Sequence, residues 1–209
     1  KLRCIYCQTP LVLGKIFLGG HGGFAPLYAV LRCACFTYPI IEGIAYLHKN
    51  SRSESARAFL LKKDYPMALL SILHIQLPRV SQQLVALCVF LFFRLHFILR
   101  HWAGIIMIFP LVVPRNHKNS FRYFLQRDKI RSFYFYYLIA DTIHDRHSFF
   151  VDVGCGAGSF SKILSSVVAP ENAYGVDKSF INLLLARQFF VDGRTPLICA
   201  DADLGLPLQ

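Results

Sequence analysis

Apolar and polar positions follow two alternating patterns along the last sixty or so residues of the chain. Short apolar runs bounded by glycine or acidic residues predict buried strands, and apolar positions that recur every three or four residues predict helices. The predicted elements are a strand over 149–153, a helix over 160–168, a strand over 174–176, a helix over 181–190 and a strand over 197–200. This β-α-β-α-β order predicts a parallel sheet with right-handed crossovers.

The amino-terminal part of the chain has a different pattern. Residues 1–48 are rich in cysteine and glycine and contain short β-like runs. Within them, LRCACFTYPIIEGIAYL over 31–47 predicts a strand, a turn at Glu42-Gly43 and a second strand. We therefore expect a small β-rich module ahead of the parallel sheet.

The middle of the chain is polar at first and then strongly apolar. Residues 49–55 are serine-rich and predict a linker, whereas the apolar spacing over 56–147 predicts a helical region. Within that region, 84–113 holds two apolar runs, each shorter than the roughly 20 residues that span a bilayer. We expect helices of a soluble protein here; the alternative is a helix pair associated with a membrane surface. The basic, aromatic residues 121–137 predict a cap helix before the sheet, with a nucleic-acid surface as the alternative.

Composition and charge narrow the class of protein. The 209 residues are 55% hydrophobic and 17% charged, which excludes a disordered chain. The basic excess behind the net charge of +11 lies before residue 149, and it can attract nucleic acid or an anionic membrane without choosing between them. Seven cysteines, an odd number, favour a reducing compartment, so we expect a cytoplasmic protein. The sequence starts without Met, from which we expect a fragment.

Three glycines follow the first predicted strand of the parallel sheet, at Gly154, Gly156 and Gly158. Glycines allow a tight turn and a close approach of a ligand to the backbone, but a lone G-x-G-x-G also fits an ordinary strand-to-helix turn. Two acids strengthen the signal: Asp177 ends the second strand, and Asp201 follows the third. Because the carboxyl ends of parallel strands meet at one edge of a sheet, these residues predict a nucleotide site there.

The charge beside the glycine loop indicates the class of ligand. The third glycine comes one residue earlier than in the dinucleotide fingerprint, and Asp152 stands two residues before the first glycine. An acid suits a cationic or zwitterionic ligand better than a pyrophosphate. At this point the stretches VDVGCGAGSF, YGVDKS and ICADADLGLPL resemble, in order and spacing, three motifs of class I S-adenosylmethionine-dependent methyltransferases.

That resemblance implies a set of cofactor-binding residues within 148–209. They are Asp152, Gly154, Cys155, Gly156, Gly158, Asp177, Lys178, Asp201 and Ala202. In this family the glycine loop lines the methionine part of S-adenosyl-L-methionine, and the acid before it orients the amino group. The acid after the second strand holds the ribose hydroxyls, and the remaining residues flank the adenine. Asp203 is as well explained as a solvated loop acid.

The resemblance also implies a Rossmann-like sheet, of which this chain contains the first three parallel strands. In this family the acceptor site is built mainly from the fourth strand onward, so we expect a partial domain that is inactive alone. We expect a methyltransferase acting on a small molecule or a lipid-like compound. The alternatives are an RNA methyltransferase and a non-catalytic zinc-binding interaction protein. The sequence assigns no catalytic residue and no oligomeric state.

Two cysteine pairs near the amino terminus predict a structural zinc site. The pairs are C-x-x-C at Cys4 and Cys7 and C-x-C at Cys33 and Cys35. Four thiolates on two knuckle-like turns can close a tetrahedral site with no open position for catalysis. His21 and His48 are alternative ligands, and unligated buried thiols are the other interpretation. The stretch over 31–47 resembles the zinc ribbon of the methyltransferase-activating partner family, although its C-x-C pair is shorter than that family's C-x-x-C.

Overall fold

The computed structural model describes residues 2–20, 26–73 and 130–208. Within them the strands are β1 (Val12–Leu18), β2 (Tyr28–Arg32), β3 (Thr37–Ile41), β4 (Ile44–Tyr46), β5 (Phe150–Val153), β6 (Ala173–Asp177) and β7 (Leu197–Cys199). The helices are α1 (Ser51–Leu61), α2 (Tyr65–Leu73), α3 (Ile130–Asp141), α4 (Ser159–Val167) and α5 (Phe180–Leu185). A π-helical turn, Ala186–Phe190, continues α5, and short 3-10 turns cover Pro170–Asn172 and Ala202–Leu204.

All the described strands belong to one mixed sheet with the order β1-β2-β3-β4-β7-β6-β5. Strands β1 to β4 form an antiparallel meander, whereas β5, β6 and β7 are parallel and are connected by α4 and α5. Strand β4 pairs in parallel with β7, with Tyr46 opposite Cys199. The protein is therefore an α/β structure in which four neighbouring strands, β4, β7, β6 and β5, run in the same direction.

Local sequence explains where the meander turns and where the first helix begins. The turn between β3 and β4 has positive φ at both central residues, +50° at Glu42 and +73° at Gly43, which is the backbone of a tight hairpin turn. Helix α1 begins after Asn50, whose side-chain oxygen accepts a hydrogen bond from the Ser53 amide at 3.0 Å. Pro66 stands in the first turn of α2, where its missing N–H costs no helical hydrogen bond.

Apolar side chains cover both faces of this sheet. On one face α1, α2 and α5 contribute Leu60, Leu69 and Leu183, each completely buried against the strands. On the other face the amino-terminal segment packs Ile5 into a second cluster around the buried strand residue Ile198. Burying a side chain of this size contributes about 1.5–3 kcal/mol, so the two clusters hold the meander and the parallel strands together.

The predicted strands and helices of the parallel sheet are confirmed, and their ends differ from the predicted ones by about one residue. The α/β class and the hairpin turn at Glu42-Gly43 are also confirmed. The prediction of a linker over 49–55 is wrong in its structure, because the Asn50 cap starts α1 at Ser51. The expected amino-terminal module does not stand apart from the parallel strands, since the two share one sheet. Residues 84–113, and most of 121–137, lie outside the described residues.

Among the helices within residues 2–20, 26–73 and 130–208, none is long and apolar enough to cross a membrane.

Candidate functional site

A cleft of about 980 Å³ opens at the carboxyl ends of the parallel strands. Loops after β5, β6 and β7 form its floor, as expected for a ligand site in a sheet of this kind. Of the residues predicted to bind the cofactor, Gly154, Cys155, Gly156, Asp177, Lys178, Asp201 and Ala202 line the cleft, whereas Asp152 and Gly158 are absent from its wall. The structure thus brings together side chains and backbone from three strand ends that are far apart in the sequence.

The glycine loop after β5 needs its glycines for conformational reasons. Gly154, Gly156 and Gly158 have φ values of +72°, +57° and +84°, the left-handed region that other residues rarely adopt. A Cβ atom on Gly158 would lie 2.9 Å from Ala186 Cβ, so the turn also packs too closely for a side chain. By contrast, a Cβ atom on Gly154 would meet no protein atom within 4 Å. That position faces open space, as a ligand cradle requires.

Asp177, at the end of β6, fixes this loop. One carboxylate oxygen accepts a hydrogen bond from the Gly156 amide at 2.9 Å, and the other accepts one from the Ser179 amide at 2.7 Å. Each carboxylate oxygen keeps a second acceptor position, so the side chain can still receive hydroxyl donors from a ligand. The residue predicted to bind ribose therefore also holds the glycine loop in place.

Asp152 lies on strand β5, two residues before Gly154. It is buried, and its Oδ2 accepts a hydrogen bond of 2.7 Å from the Ser161 hydroxyl on α4. It is absent from the wall of the cleft. Its link to a ligand would therefore run through the loop backbone above it.

The third strand end supplies the other acidic group. The Asp201 side chain accepts a hydrogen bond from the Asp203 amide at 3.1 Å and so caps the short turn Ala202–Leu204. Asp203 lies in the cleft wall too. Cys199, two residues before Asp201, is completely buried, and burial raises the pKa of its thiol, as is typical of an inert structural cysteine.

The four amino-terminal cysteines form the second candidate site. Their sulfur atoms all lie within 4.8 Å of one another. The Sγ atoms of Cys4 and Cys35 are 3.7 Å apart, and those of Cys33 and Cys35 are 3.5 Å apart. Sulfur ligands of a tetrahedral zinc ion are about 3.8 Å apart, given Zn–S bonds near 2.3 Å, whereas a disulfide bond measures about 2.05 Å. The cluster is a potential metal-binding site, and it includes both sulfur atoms of the shorter C-x-C pair.

Hydrogen bonds in this cluster lower the pKa of Cys4 and of Cys7, whereas burial raises the pKa of Cys33 and raises that of Cys35 to about 12. The Tyr38 hydroxyl lies 3.2 Å from Cys4 Sγ, and the Tyr6 amide donates to the same sulfur at 3.4 Å. The Thr9 hydroxyl lies 3.0 Å from Cys7 Sγ, and this hydrogen bond lowers the pKa of Cys7 to about 6. Such outer contacts orient metal ligands and were not predicted. Side chains alternate in direction along β3, and this alternation turns Tyr38 towards the interior. It is the sequence signal that could have predicted the contact between Tyr38 and the cluster.

The alternative histidine ligands are not brought to the cluster. His48 lies beyond the end of β4, where its ring stacks at 4.9 Å on Tyr46, and it is not among the clustered groups. His21 lies outside the described residues. The described part of the chain therefore offers an all-cysteine ligand set.

Several residues of the cleft wall come from elements that precede the parallel strands and were not predicted. They are Tyr46, Arg52, Ile72, Leu73 and Tyr136. The first two reach the cleft because β4 pairs with β7, and this pairing has no local sequence signal. Ile72 and Leu73 end helix α2 and add apolar surface.

Comparisons with known proteins add no relative: no protein-family model matches the chain, and no curated protein matches it in sequence. We therefore infer a function from the residues of the cleft and of the cysteine cluster.

Proposed function

We propose that the cleft binds S-adenosyl-L-methionine and that the protein is a methyltransferase of class I, with the three parallel strands β5, β6 and β7 as its cofactor-binding half. The observation that carries this proposal is the hydrogen bond from the Gly156 amide to Asp177. In a dinucleotide site, loop amides at the start of the helix point at the pyrophosphate. Here a carboxylate already accepts from the loop, and it would repel a phosphate.

The residues present fit the proposed cofactor. The open space over Gly154 would receive the methionine part, and the remaining acceptor positions of Asp177 would receive the ribose hydroxyls. Asp201 and the Ala202 amide, both in the cleft wall, would contact an adenine edge. The acids also complement a positively charged sulfonium.

Methyl transfer requires little from the protein beyond alignment of the methyl group with its acceptor. The bound cofactor would supply an activated methyl group that carries its own leaving group. The chain's own residues would hold the adenosyl part in place and exclude water from it, and a fixed geometry of the reacting atoms is itself a large contribution to rate. No described residue is assigned as a general base.

We further propose that the cysteine cluster holds a structural zinc ion. Four sulfur ligands close the coordination sphere, so the ion would join the amino-terminal turn to the turn between β2 and β3. Cys7→Ser should reduce the zinc content of the purified protein and lower its unfolding temperature. Cys155→Ser, at a buried cysteine outside the cluster, should keep one zinc ion per chain. Equal zinc content in the two variants would contradict the assignment.

For the methyl acceptor, the cleft favours a small molecule or a lipid-like compound. Beyond the acids, its wall includes the apolar or aromatic residues Ile72, Leu73, Tyr136 and Phe160. An apolar compartment suits an enclosed organic acceptor better than a polyanionic RNA. The basic excess in the amino-terminal part keeps an RNA acceptor as the second candidate.

Calorimetric titration with S-adenosylmethionine tests the cofactor proposal, and two glycine variants sharpen it. Gly154→Ala places a methyl group in the space reserved for the ligand, so we expect binding to weaken by roughly tenfold or more, about 1.4 kcal/mol. Gly205→Ala is the matched control, because Gly205 also has positive φ (+116°) and open space around its Cβ, but it lies outside the cleft wall.

The control separates backbone strain from loss of the ligand site. We expect Gly205→Ala to lose stability as Gly154→Ala does but to bind the cofactor as the wild type does. Equal weakening of binding in both variants would show that strain, rather than ligand approach, explains the effect. No binding by the wild type would refute the proposed cofactor.

A further inference from the structure

The ligand edge of the sheet has a fourth strand end, which the amino-terminal meander supplies. Strand β4 runs parallel to β7, so its carboxyl end lies at the same edge as those of β7, β6 and β5. The pairing continues past the strand, since the Leu47 amide donates to the Cys199 carbonyl at 2.8 Å. Connections after parallel strands are where such sheets bind ligands. The connection from β4 to α1 therefore belongs to the site.

Side-chain contacts hold this connection in place. The Tyr46 ring packs edge-on against Phe180 with centroids 5.9 Å apart, and its hydroxyl accepts a hydrogen bond of 3.2 Å from the Asn50 side chain. The same Asn50 caps α1 through the Ser53 amide. Because one residue joins the strand end to the helix start, Arg52 in the first turn of α1 has a defined position in the cleft wall.

The sheet order places Arg52 at the Asp201 end of the cleft, because α1 follows β4 and β4 pairs in parallel with β7. Along the ligand edge the strand order puts the glycine loop of β5 first, Asp177 of β6 second and Asp201 of β7 third. Neighbouring strands are about 4.8 Å apart, so the β4 end follows about 14 Å from the glycine loop.

We propose that Arg52 is a ligand-contacting residue that recognises the purine ring of the adenosyl ligand from the amino-terminal side. This inference rests on the proposed function and deepens it. A planar guanidinium can stack on a purine face or donate to its ring nitrogens. It also offsets part of the negative charge of Asp201 and Asp203 at this end of the cleft. The meander is then part of the cofactor site as well as a metal-binding module.

The test compares two ligands on the full chain by calorimetric titration. S-adenosylhomocysteine carries both the purine and the amino-acid part, and adenosine carries the purine and ribose alone. Arg52→Gln should weaken both ligands by the same factor, roughly 5–30-fold, because the lost contact is to the purine they share. Arg57→Gln is the matched control: it removes the same charge from the same helix, but Arg57 lies over the Phe36 ring and not in the cleft.

The outcomes separate this inference from the proposed function. Because Arg52 is exposed, thermal unfolding of Arg52→Gln should match the wild type, and a loss of affinity then reports ligand contact. Wild-type affinity in Arg52→Gln, or a loss confined to S-adenosylhomocysteine, would overturn the role of Arg52 and leave the cofactor proposal standing. A wild-type chain that binds neither ligand would overturn both.

Discussion

Replacement of Arg187 should destabilise the whole sheet, because its guanidinium connects two parts of the chain. One Nη atom donates to the carbonyls of Asp192 at 3.0 Å and Gly193 at 2.9 Å. The other donates to Thr195 at 2.7 Å and, across the sheet, to Gly43 at 3.3 Å. The first three carbonyls belong to the connection before β7, and the fourth belongs to the hairpin turn between β3 and β4.

The magnitude follows from four hydrogen bonds set against the cost of a buried charge. Burial lowers the pKa of Arg187 to about 10, and the buried Glu42 opposes this shift, so the guanidinium is charged at neutral pH. Each bond from a charged donor contributes about 1.5–3 kcal/mol. Arg187→Met would leave four carbonyls without this donor but would also remove a desolvation cost of several kcal/mol. We expect a net loss of about 3 kcal/mol in the free energy of unfolding.

Urea unfolding followed by circular dichroism measures this loss, with Arg194→Met as the matched control. Arg194 pairs with Asp192 at 3.1 Å, but half of its side chain is exposed, so its loss should cost about 0–1 kcal/mol. Arg187→Met within 1 kcal/mol of the wild type, with an unchanged denaturant slope, would refute the reasoning. A large loss in both arginine variants would point to an unfolded-state effect of charge removal instead.

Three further predictions concern packing, the metal site and pH. Gly175→Ala should cost about 1–3 kcal/mol in urea unfolding, because its Cβ would lie 2.8 Å from Leu197 Cδ2 on the neighbouring strand β7; a neutral effect would contradict that packing. Tyr38→Phe should weaken zinc binding by about 10–100-fold in chelator competition, since the hydroxyl contacts Cys4 Sγ; unchanged affinity would exclude the contact. His48 has a lowered pKa in the folded protein, chiefly through burial, so the unfolded chain binds the extra proton and stability falls as pH drops through about 6.5. His48→Gln should reduce that fall in urea unfolding at pH 7.5 and 5.5, and an identical fall in both proteins would contradict it.

The parallel half of the sheet could be predicted because its signals are local. Each strand is a short apolar run followed by glycine or an acid, and each helix repeats its apolar positions within one segment. The spacing of Gly154, Asp177 and Asp201 then predicts that they meet at one edge, since the fold rule for parallel strands requires it. The structure places all three in the same cleft.

The joining of the two halves could not be predicted because it depends on contacts between distant residues. The hydrogen bond from Arg187 to Gly43 links positions 144 residues apart, and no local pattern in the sequence relates the two residues. Strand β4 has three residues, too few for its partner to be read from periodicity. The contributions of Tyr46 and Arg52 to the cleft follow from that pairing, so sequence reasoning missed them.

The helical start at Ser51 was missed for a different reason. The serine-rich segment 49–55 has the composition of a linker, but within it Asn50 stands directly before Ser51 and can cap a helix. Ser53 is completely buried, and its hydroxyl donates to the His48 carbonyl. The polar side chains of this segment thus satisfy backbone groups at a helix terminus, which composition alone does not reveal.

Competition by S-adenosylmethionine and by NAD tests the central proposal most directly. According to that proposal, the glycine loop selects a sulfonium nucleoside over a ligand that carries a pyrophosphate. Equilibrium dialysis of the full chain with labelled S-adenosylhomocysteine should show saturable binding that excess S-adenosylmethionine displaces. Excess NAD should leave that binding unchanged, because the Gly156 amide already donates to the Asp177 carboxylate. Displacement by NAD, or binding of NAD in place of S-adenosylhomocysteine, would contradict the account.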